Sequence, residues 1–213
     1  MSSVKAAIFD VDKTIISIDS MFHFVDYGLR RYPALIYRLP AILWFTFLYK
    51  AGIVSVEKVK RAYFKGIERM SEEDLKHFFK TRLQTAIFAE ANEEMHERKR
   101  EGYIVLLVTA SPHAYMKFFQ EFACVDHVIG TQLVRRPNGG YTSIIDGSNC
   151  KGEEKVRRIM EYLKGQNQII DYDQSCAYSD STSDMPIMEL VAKRYFINRR
   201  VPGAEELRWG KNE

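Results

Sequence analysis

The sequence predicts an α/β protein, a doubly wound parallel sheet with an all-helical block inserted after its first strand. Three observations predict it. A short apolar run, VKAAIF, opens the chain and stops abruptly at Asp10. From about residue 20 to 100 the pattern is helical throughout. After Gly102, short continuous apolar runs alternate with amphipathic helical stretches, as expected of parallel strands buried on both faces. The 213 residues, 46% apolar and 28% charged, suffice for one sizeable core carrying an insertion.

Each element follows in order. Residues 4 to 10 form the first strand, by their apolar run and polar stop. In the helical block, Pro33 suits the first turn of a helix. Ser55, and Ser71 followed by acids, suit helix caps. EEMHERKREG closes the block as a solvated helix, with Glu94 and Arg98 at i,i+4 and Gly102 as the stop. YIVLLVT (103–109) is a buried parallel strand, and Ser111-Pro112 reads as a helix cap followed by an N1 proline, opening the helix HAYMKFFQEFA. VDHVIG is a short strand, and TQLVRRPNGGYTSIID a hairpin turning at Asn138-Gly139-Gly140. GEEKVRRIMEYLKG is an amphipathic helix stopped by Gly165. CAYSD is a strand, Asp184 to Val191 a short helix and RYFIN the last strand, after which the tail RWGKNE is expected to fray.

Composition excludes several classes. A net charge of +3 and a pI near 8.6, with no aromatic-interleaved Lys/Arg stripe, argue against nucleic acid as a partner. Cys124, Cys150 and Cys176 form no CxxC pair and read as buried free thiols in a reducing compartment. The N-terminus shows no secretory pattern, so a cytoplasmic protein is expected. The most membrane-like segment, RYPALIYRLPAILWFTFLYKAG, has only eleven uncharged residues in a row, Leu39 to Tyr49, with a proline among them. Spanning a bilayer takes about 20. The segment is read as an apolar helix packed within the helical block, a surface-lying helix being the secondary reading.

In open parallel sheets, ligands bind beyond the carboxyl ends of the strands. The polar residues ending the apolar runs are Asp10 and Asp12, then Thr109 and Ser111, then Asp180 and Asp184, with Lys151 and Lys155 at the start of the GEEK helix. Clustered carboxylates repel unless a cation neutralises them, and oxygen donors without His/Cys spacing suggest Mg²⁺. His113, beside a strand end, reads as a helix-surface residue. A metal, a lysine and a helix N-terminus suit a dianionic phosphate. Two acids at i and i+2 divide the labour: Asp10 attacks phosphorus, and Asp12 delivers a proton to the leaving oxygen.

DVDKT resembles the DxDxT signature of the haloacid dehalogenase superfamily phosphatases. VTAS resembles their second motif, GEEK their lysine motif and SDSTSD their closing acidic motif. The insertion resembles the C1-type cap, and the whole chain resembles subfamily IB, the group containing phosphoserine phosphatase. The resemblance implies a Rossmann-like core over residues 1–18 and 92–213 with a cap over 19–91. It implies an aspartyl-phosphate on Asp10 and Asp12 as acid and then base. Mg²⁺ would sit on Asp10, the backbone carbonyl of Asp12 and Asp180. Thr109 and Ser111 would face the phosphoryl group, and Asp184 would support the metal shell or the lysine. Lys155 is assigned as the catalytic lysine from its place in GEEK, with Lys151, in a KG step like that of phosphoserine phosphatases, as the alternative.

The expected activity is hydrolysis of a small soluble phosphomonoester. Asp19 stands where phosphoserine phosphatases carry a Glu that reads the substrate amine, and Lys60 or Arg61 is placed to read a carboxylate. The apolar cap segment 34–49 also resembles members acting on lipid-linked phosphates such as phosphatidylglycerophosphate, the alternative substrate class. A phosphomutase on the same core is a lesser alternative. A receiver domain is disfavoured by the order of the motifs, and a hydrolytic dehalogenase by the presence of Asp12. Oligomeric state is not readable.

Overall fold

The structure is a computed structural model describing residues 1–137 and 139–210. Strands β1 (Ser2–Val4) and β2 (Ala6–Phe9) precede the helical block. That block holds α1 (Ser20–Arg31), a 3₁₀ turn (Pro33–Arg38), α2 (Leu39–Lys50), α3 (Val56–Phe64) and α4 (Glu72–Phe78), and α5 (Ala89–Arg100) leads back. Next come β3 (Ile104–Pro112), α6 (His113–Met116), β4 (His127–Thr131) and a hairpin of β5 (Leu133–Arg135) and β6 (Tyr141–Ile145). The chain ends with α7 (Glu153–Gly165), β7 (Gln168–Ile170), β8 (Cys176–Ser179), α8 (Met185–Met188), β9 (Lys193–Ile197) and β10 (Glu205–Leu207).

Six strands form a parallel sheet in the order β10-β9-β8-β2-β3-β4. The chain runs outward from β2 through β3 and β4, then crosses back to β8. β2 is therefore the point where strand order reverses, and the carboxyl edge beside it is where such sheets bind ligands. All four residues of β2 are fully buried, because each face of the sheet is covered. Ala7, Phe9, Val105 and Leu107 pack with Ala91 and Met95 of α5 and Tyr115 of α6. Ala6, Ile8, Leu106 and Val108 pack with Ile159 and Leu163 of α7 and Ile187 of α8. The alternation follows the two-residue repeat of a strand.

Local chemistry explains the helical block. Ser71 and Asp74 form a reciprocal capping box at the start of α4, Ser71 Oγ accepting from Asp74 N at 3.1 Å and Asp74 Oδ2 from Ser71 N at 3.0 Å. Arg31 and Tyr32 also donate to Asp74, at 2.9 and 2.8 Å. The outgoing and returning segments are paired: Phe88 N–H donates to Ile15 O and Ser17 N–H to Ala86 O, both at 2.9 Å. The crossing lies there, and α5 spans the expected boundary at residues 91/92.

The structure departs from the sequence reading in several places. Ser111 and Pro112 continue β3 instead of opening a helix, because Ser111 is engaged at the strand end, and the helix that follows has only four residues before tightening to a 3₁₀ turn (Lys117–Glu121). α7 includes Gly165, and the left-handed residue is Asn167 (φ 57°). Asn138 lies outside the described residues, and Gly139 and Gly140 both take positive φ. The tail does not fray at Trp209: its indole is buried, and Asn198 clasps its backbone with bonds of 3.0 and 3.1 Å. Residues 211–213 lie outside the described residues. Arg98 of the charge run is not merely solvated, since it bonds Glu94 and the Tyr178 hydroxyl at 2.9 Å each. All three cysteines are buried free thiols. Among the described residues no helix is long and apolar enough to cross a membrane.

Candidate active site

The strand ends converge. Asp10 follows β2 directly and is buried, its N–H bonding back to Tyr178 O of β8 at 2.9 Å. Lys155, in the first turn of α7, is also buried; Nζ donates to Asp10 Oδ1 at 2.7 Å and contacts Asp184 Oδ1 at 2.9 Å. Lys151 is exposed, so the structure brings Lys155, not Lys151, to the acids. Burial alone would drive the Lys155 ammonium towards neutrality, but Asp10 and Asp184 outweigh it and raise its pKa. Burial raises Asp10 above the ordinary carboxylate range; Lys155 opposes this, and Asp184 and Asp12 add to it.

Asp12 is held from both sides of the site. Ser20 N–H, at the start of α1, donates to Oδ1 at 2.6 Å, and Ser111 Oγ donates to Oδ2 at 2.7 Å. Thr109 Oγ1 lies 3.3 Å from the same Oδ2. Thr109 and Ser111, expected to face a phosphoryl group, thus both point at Asp12. The Lys13 backbone has φ 59°, which turns the chain sharply between the two acids and Thr14.

Asp180 follows β8 and is half-buried, and no side chain among the described residues donates to its carboxylate. Burial, then Asp184, raises its pKa. Asp10 and Asp184 share one buried lysine, with the part-buried Asp12 and Asp180 beside them, an excess of negative charge at the strand ends. The donors are all oxygens, and Asp180 is free to bind. This fits a hard divalent cation held by Asp10, Asp180 and the Asp12 backbone carbonyl. Among the described residues no group of three or more His, Cys, Asp or Glu side chains is arranged to hold a metal ion by itself, so such an ion would also need the backbone carbonyl as a ligand.

Three further contributors are not singled out by the sequence analysis. Thr14, the last residue of DVDKT, donates to Asp10 Oδ2 at 3.2 Å and accepts from Asp180 N–H at 3.0 Å, tying two strand ends together. Its place inside the motif was the available signal. Ser179 donates to Asp184 Oδ2 at 2.7 Å, and Ser20 Oγ lies 2.9 Å from Ser111 Oγ. No local pattern marks these two serines.

The specificity candidates separate. Asp19 is the N-cap of α1, Oδ1 accepting from Met21 and Phe22 N–H at 3.1 and 3.4 Å. Burial, then Asp12, raises its pKa. Arg61 is exposed and turns to an outer groove with Arg38, Lys58 and Lys65, so the structure corrects its placement at the site. Lys60, one residue earlier on α3, faces inward and donates to Ala110 O at 2.6 Å and Asn149 Oδ1 at 2.7 Å. Burial pushes its pKa down to about 8, although Asp12 opposes the shift. His113 is not a surface residue: it is half-buried, its Nδ1 has no hydrogen-bond partner among the described residues, and burial lowers its pKa to about 4.

Comparison with known proteins agrees with the geometry. Residues 7–189 match the family described as haloacid dehalogenase-like hydrolase. The chain is 23% identical over 205 residues to a histidinol-phosphatase of Neisseria meningitidis serogroup C (strain 8013), covering 93% of this chain and 91% of that protein. It superposes with TM-score 0.80 and 23% identity on the crystal structure of a protein of unknown function from Bordetella pertussis Tohama I, over 95% of this chain and 93% of that one. A phospho-aspartyl intermediate analogue of phosphoserine phosphatase superposes with TM-score 0.65 and 17% identity, over 92% of this chain and 87% of that one. These structural likenesses show a shared fold.

Proposed function

Because the chain belongs to the haloacid dehalogenase-like hydrolase family, we propose that it is a Mg²⁺-dependent phosphatase that hydrolyses a small soluble phosphomonoester through an aspartyl-phosphate on Asp10. The observation that carries this reading is the buried Lys155 bridging Asp10 and Asp184 beside an Asp12 held by Ser20 and Ser111. Residues 1–18 and 92–213 serve as the hydrolytic core, and 19–91 as a cap that shapes the substrate's alcohol side.

The chain's own residues divide the reaction. The Asp10 carboxylate attacks phosphorus as the ester P–O bond breaks, and Asp12 donates its proton to the departing alkoxide. Asp12 then accepts a proton from water, whose oxygen attacks the aspartyl-phosphate and frees Asp10 and inorganic phosphate. Lys155 fixes the Asp10 carboxylate and offsets phosphoryl charge, while Thr109 and Ser111 orient Asp12 and stand ready to donate to the phosphoryl oxygens. Asp10, the Asp12 backbone carbonyl and Asp180 would hold the Mg²⁺, which would supply charge neutralisation for the dianion. Asp184 keeps Lys155 in place.

On the alcohol side, Lys60 and Asp19 carry opposite charges near Asp12. Asp19 suits an alcohol bearing an amine, as in the compound named by the histidinol-phosphatase relative, and Lys60 suits an added carboxylate, as in phosphoserine. The test is phosphate release from histidinol phosphate, phosphoserine and a short-chain phosphatidylglycerophosphate, each with Mg²⁺ or EDTA. Mg²⁺-dependent release from an amine-bearing ester is expected. Release in EDTA would overturn the cofactor, and turnover of the lipid alone would overturn the soluble substrate class.

A further inference from the structure

Helix α2 is apolar all round, a composition that ordinarily marks a helix enclosed on every side. Here only one face is enclosed. Ile42 is buried, and Thr46 reaches the Tyr63 hydroxyl of α3 at 3.3 Å. The opposite face carries Pro40, Leu43, Trp44 and Phe47, spaced i, i+3, i+4 and i+7 as one stripe, and all are exposed. Leu43 is 71%, Phe47 61% and Trp44 59% exposed. The stripe continues at both ends of the helix, with Ile36 and Tyr37 at 57% and 84% before it and Ile53 at 67% after it. Contiguous exposure on this scale marks an interaction surface.

The charge around the stripe selects the partner. From Arg30 to Gly66 the chain carries eight basic residues, and Glu57 is the single acid. Along one flank of α2 a groove of about 490 Å³ is lined by Arg38, Lys58, Arg61 and Lys65 beside Phe45. Only Lys65 among these four has an acidic partner, Glu68 at 2.7 Å, among the described residues. Lys50 lies at the end of the helix. An apolar stripe containing Trp, edged by Lys and Arg without acids, matches the boundary of an anionic bilayer, where the apolar face sinks and the cations meet lipid phosphates. Twelve residues of helix extend about 18 Å, too short to cross ~30 Å of hydrocarbon, so the helix lies in the surface plane.

We infer that α2 and the turn before it dock this protein on anionic lipid surfaces, with the Arg38/Lys58/Arg61/Lys65 groove on the headgroups. α3 separates this groove from the catalytic edge, Arg61 facing one and Lys60 the other. The surface thus brings the active site to the membrane without depending on which phosphate is hydrolysed, and its test needs no turnover.

The experiment is flotation of the full chain with vesicles of phosphatidylcholine alone or mixed with phosphatidylglycerol, with tryptophan emission read in parallel. Trp209 is buried, so any change in emission on binding reports Trp44. Binding to the anionic vesicles with a blue shift is expected, weakened at least about tenfold on neutral vesicles or at high salt. Leu43→Ser with Phe47→Ser should remove the shift. Arg38→Glu with Lys58→Glu should lower anionic binding by at least about tenfold. All four positions are exposed, and circular dichroism confirms their folds. Failure to float with anionic vesicles overturns the inference. So does a blue shift that appears without lipid as a dimer forms, which would make the stripe an interface between copies. Equal binding to neutral vesicles overturns the role of the groove.

Discussion

At the residue scale, Lys155 has two functions that separate experimentally. In the proposed reaction it offsets phosphoryl charge, and in the fold it neutralises two carboxylates that burial would otherwise penalise. Lys155→Met should abolish phosphate release and lower stability by about 3–5 kcal/mol, because Asp10 and Asp184 are left buried without a counter-charge. Lys151→Ala should change neither by more than about twofold in rate or 0.5 kcal/mol, since it is exposed. Asp10→Asn preserves side-chain size and should reduce turnover to background with the circular dichroism spectrum unchanged; full activity in that variant would sink the nucleophile assignment. The acids, Thr109, Ser111 and Lys155 were legible because each ends an apolar run or opens a helix. Lys60 and Arg61 were not separable, because one step along a helix turns a side chain by about 100° and the register of α3 is set by packing. Ser20 and Ser179 act only across the fold, where no sequence window reaches.

At the element scale, the end of β3 depends on close backbone contact. A Cβ on Gly130 of β4 would stand 2.9 Å from His113 Cα and 3.0 Å from Ser111 O. Gly130→Ala should therefore cost about 1–3 kcal/mol and also lower kcat, because the displaced segment carries Ser111; a stability loss with unchanged kcat would separate the two effects. The start of α4 predicts a pH dependence. Burial would raise the Asp74 pKa, but bonds from Ser71, Arg31 and Tyr32 prevail and hold it at about 2. With its folded pKa depressed, Asp74 contributes stability that is present above its ordinary value near 4 and is lost as pH falls towards 2, roughly 2 kcal/mol. Acid unfolding of Asp74→Asn should lack that component. The capping box was readable from Ser71 and its acids, whereas Ser111-Pro112 misled because a cap and a strand-end hydroxyl share one residue pattern. Trp209 resembled a fraying tail because its burial rests on Asn198 and the sheet.

At the scale of the whole molecule, alternation gave the parallel sheet and the helical insertion, but not strand order or the outer face of α2. Those depend on which surfaces are covered, and local patterning does not encode that. Lys60 crosses from the helical block to Ala110 and Asn149 of the core, so Lys60→Met should raise KM about tenfold with a smaller effect on kcat, measured on the preferred ester. The helical block and the sheet also share one aromatic cluster: Phe24 stacks on Tyr115 and Phe78 meets it edge-on, with ring centroids 5.1 and 5.2 Å away. This cluster runs unbroken into the apolar face of the sheet. Helical block and sheet should therefore melt cooperatively, as one endotherm whose calorimetric and van't Hoff enthalpies agree. A phosphate analogue seated at the strand ends would raise the melting temperature of the helical block as much as that of the sheet.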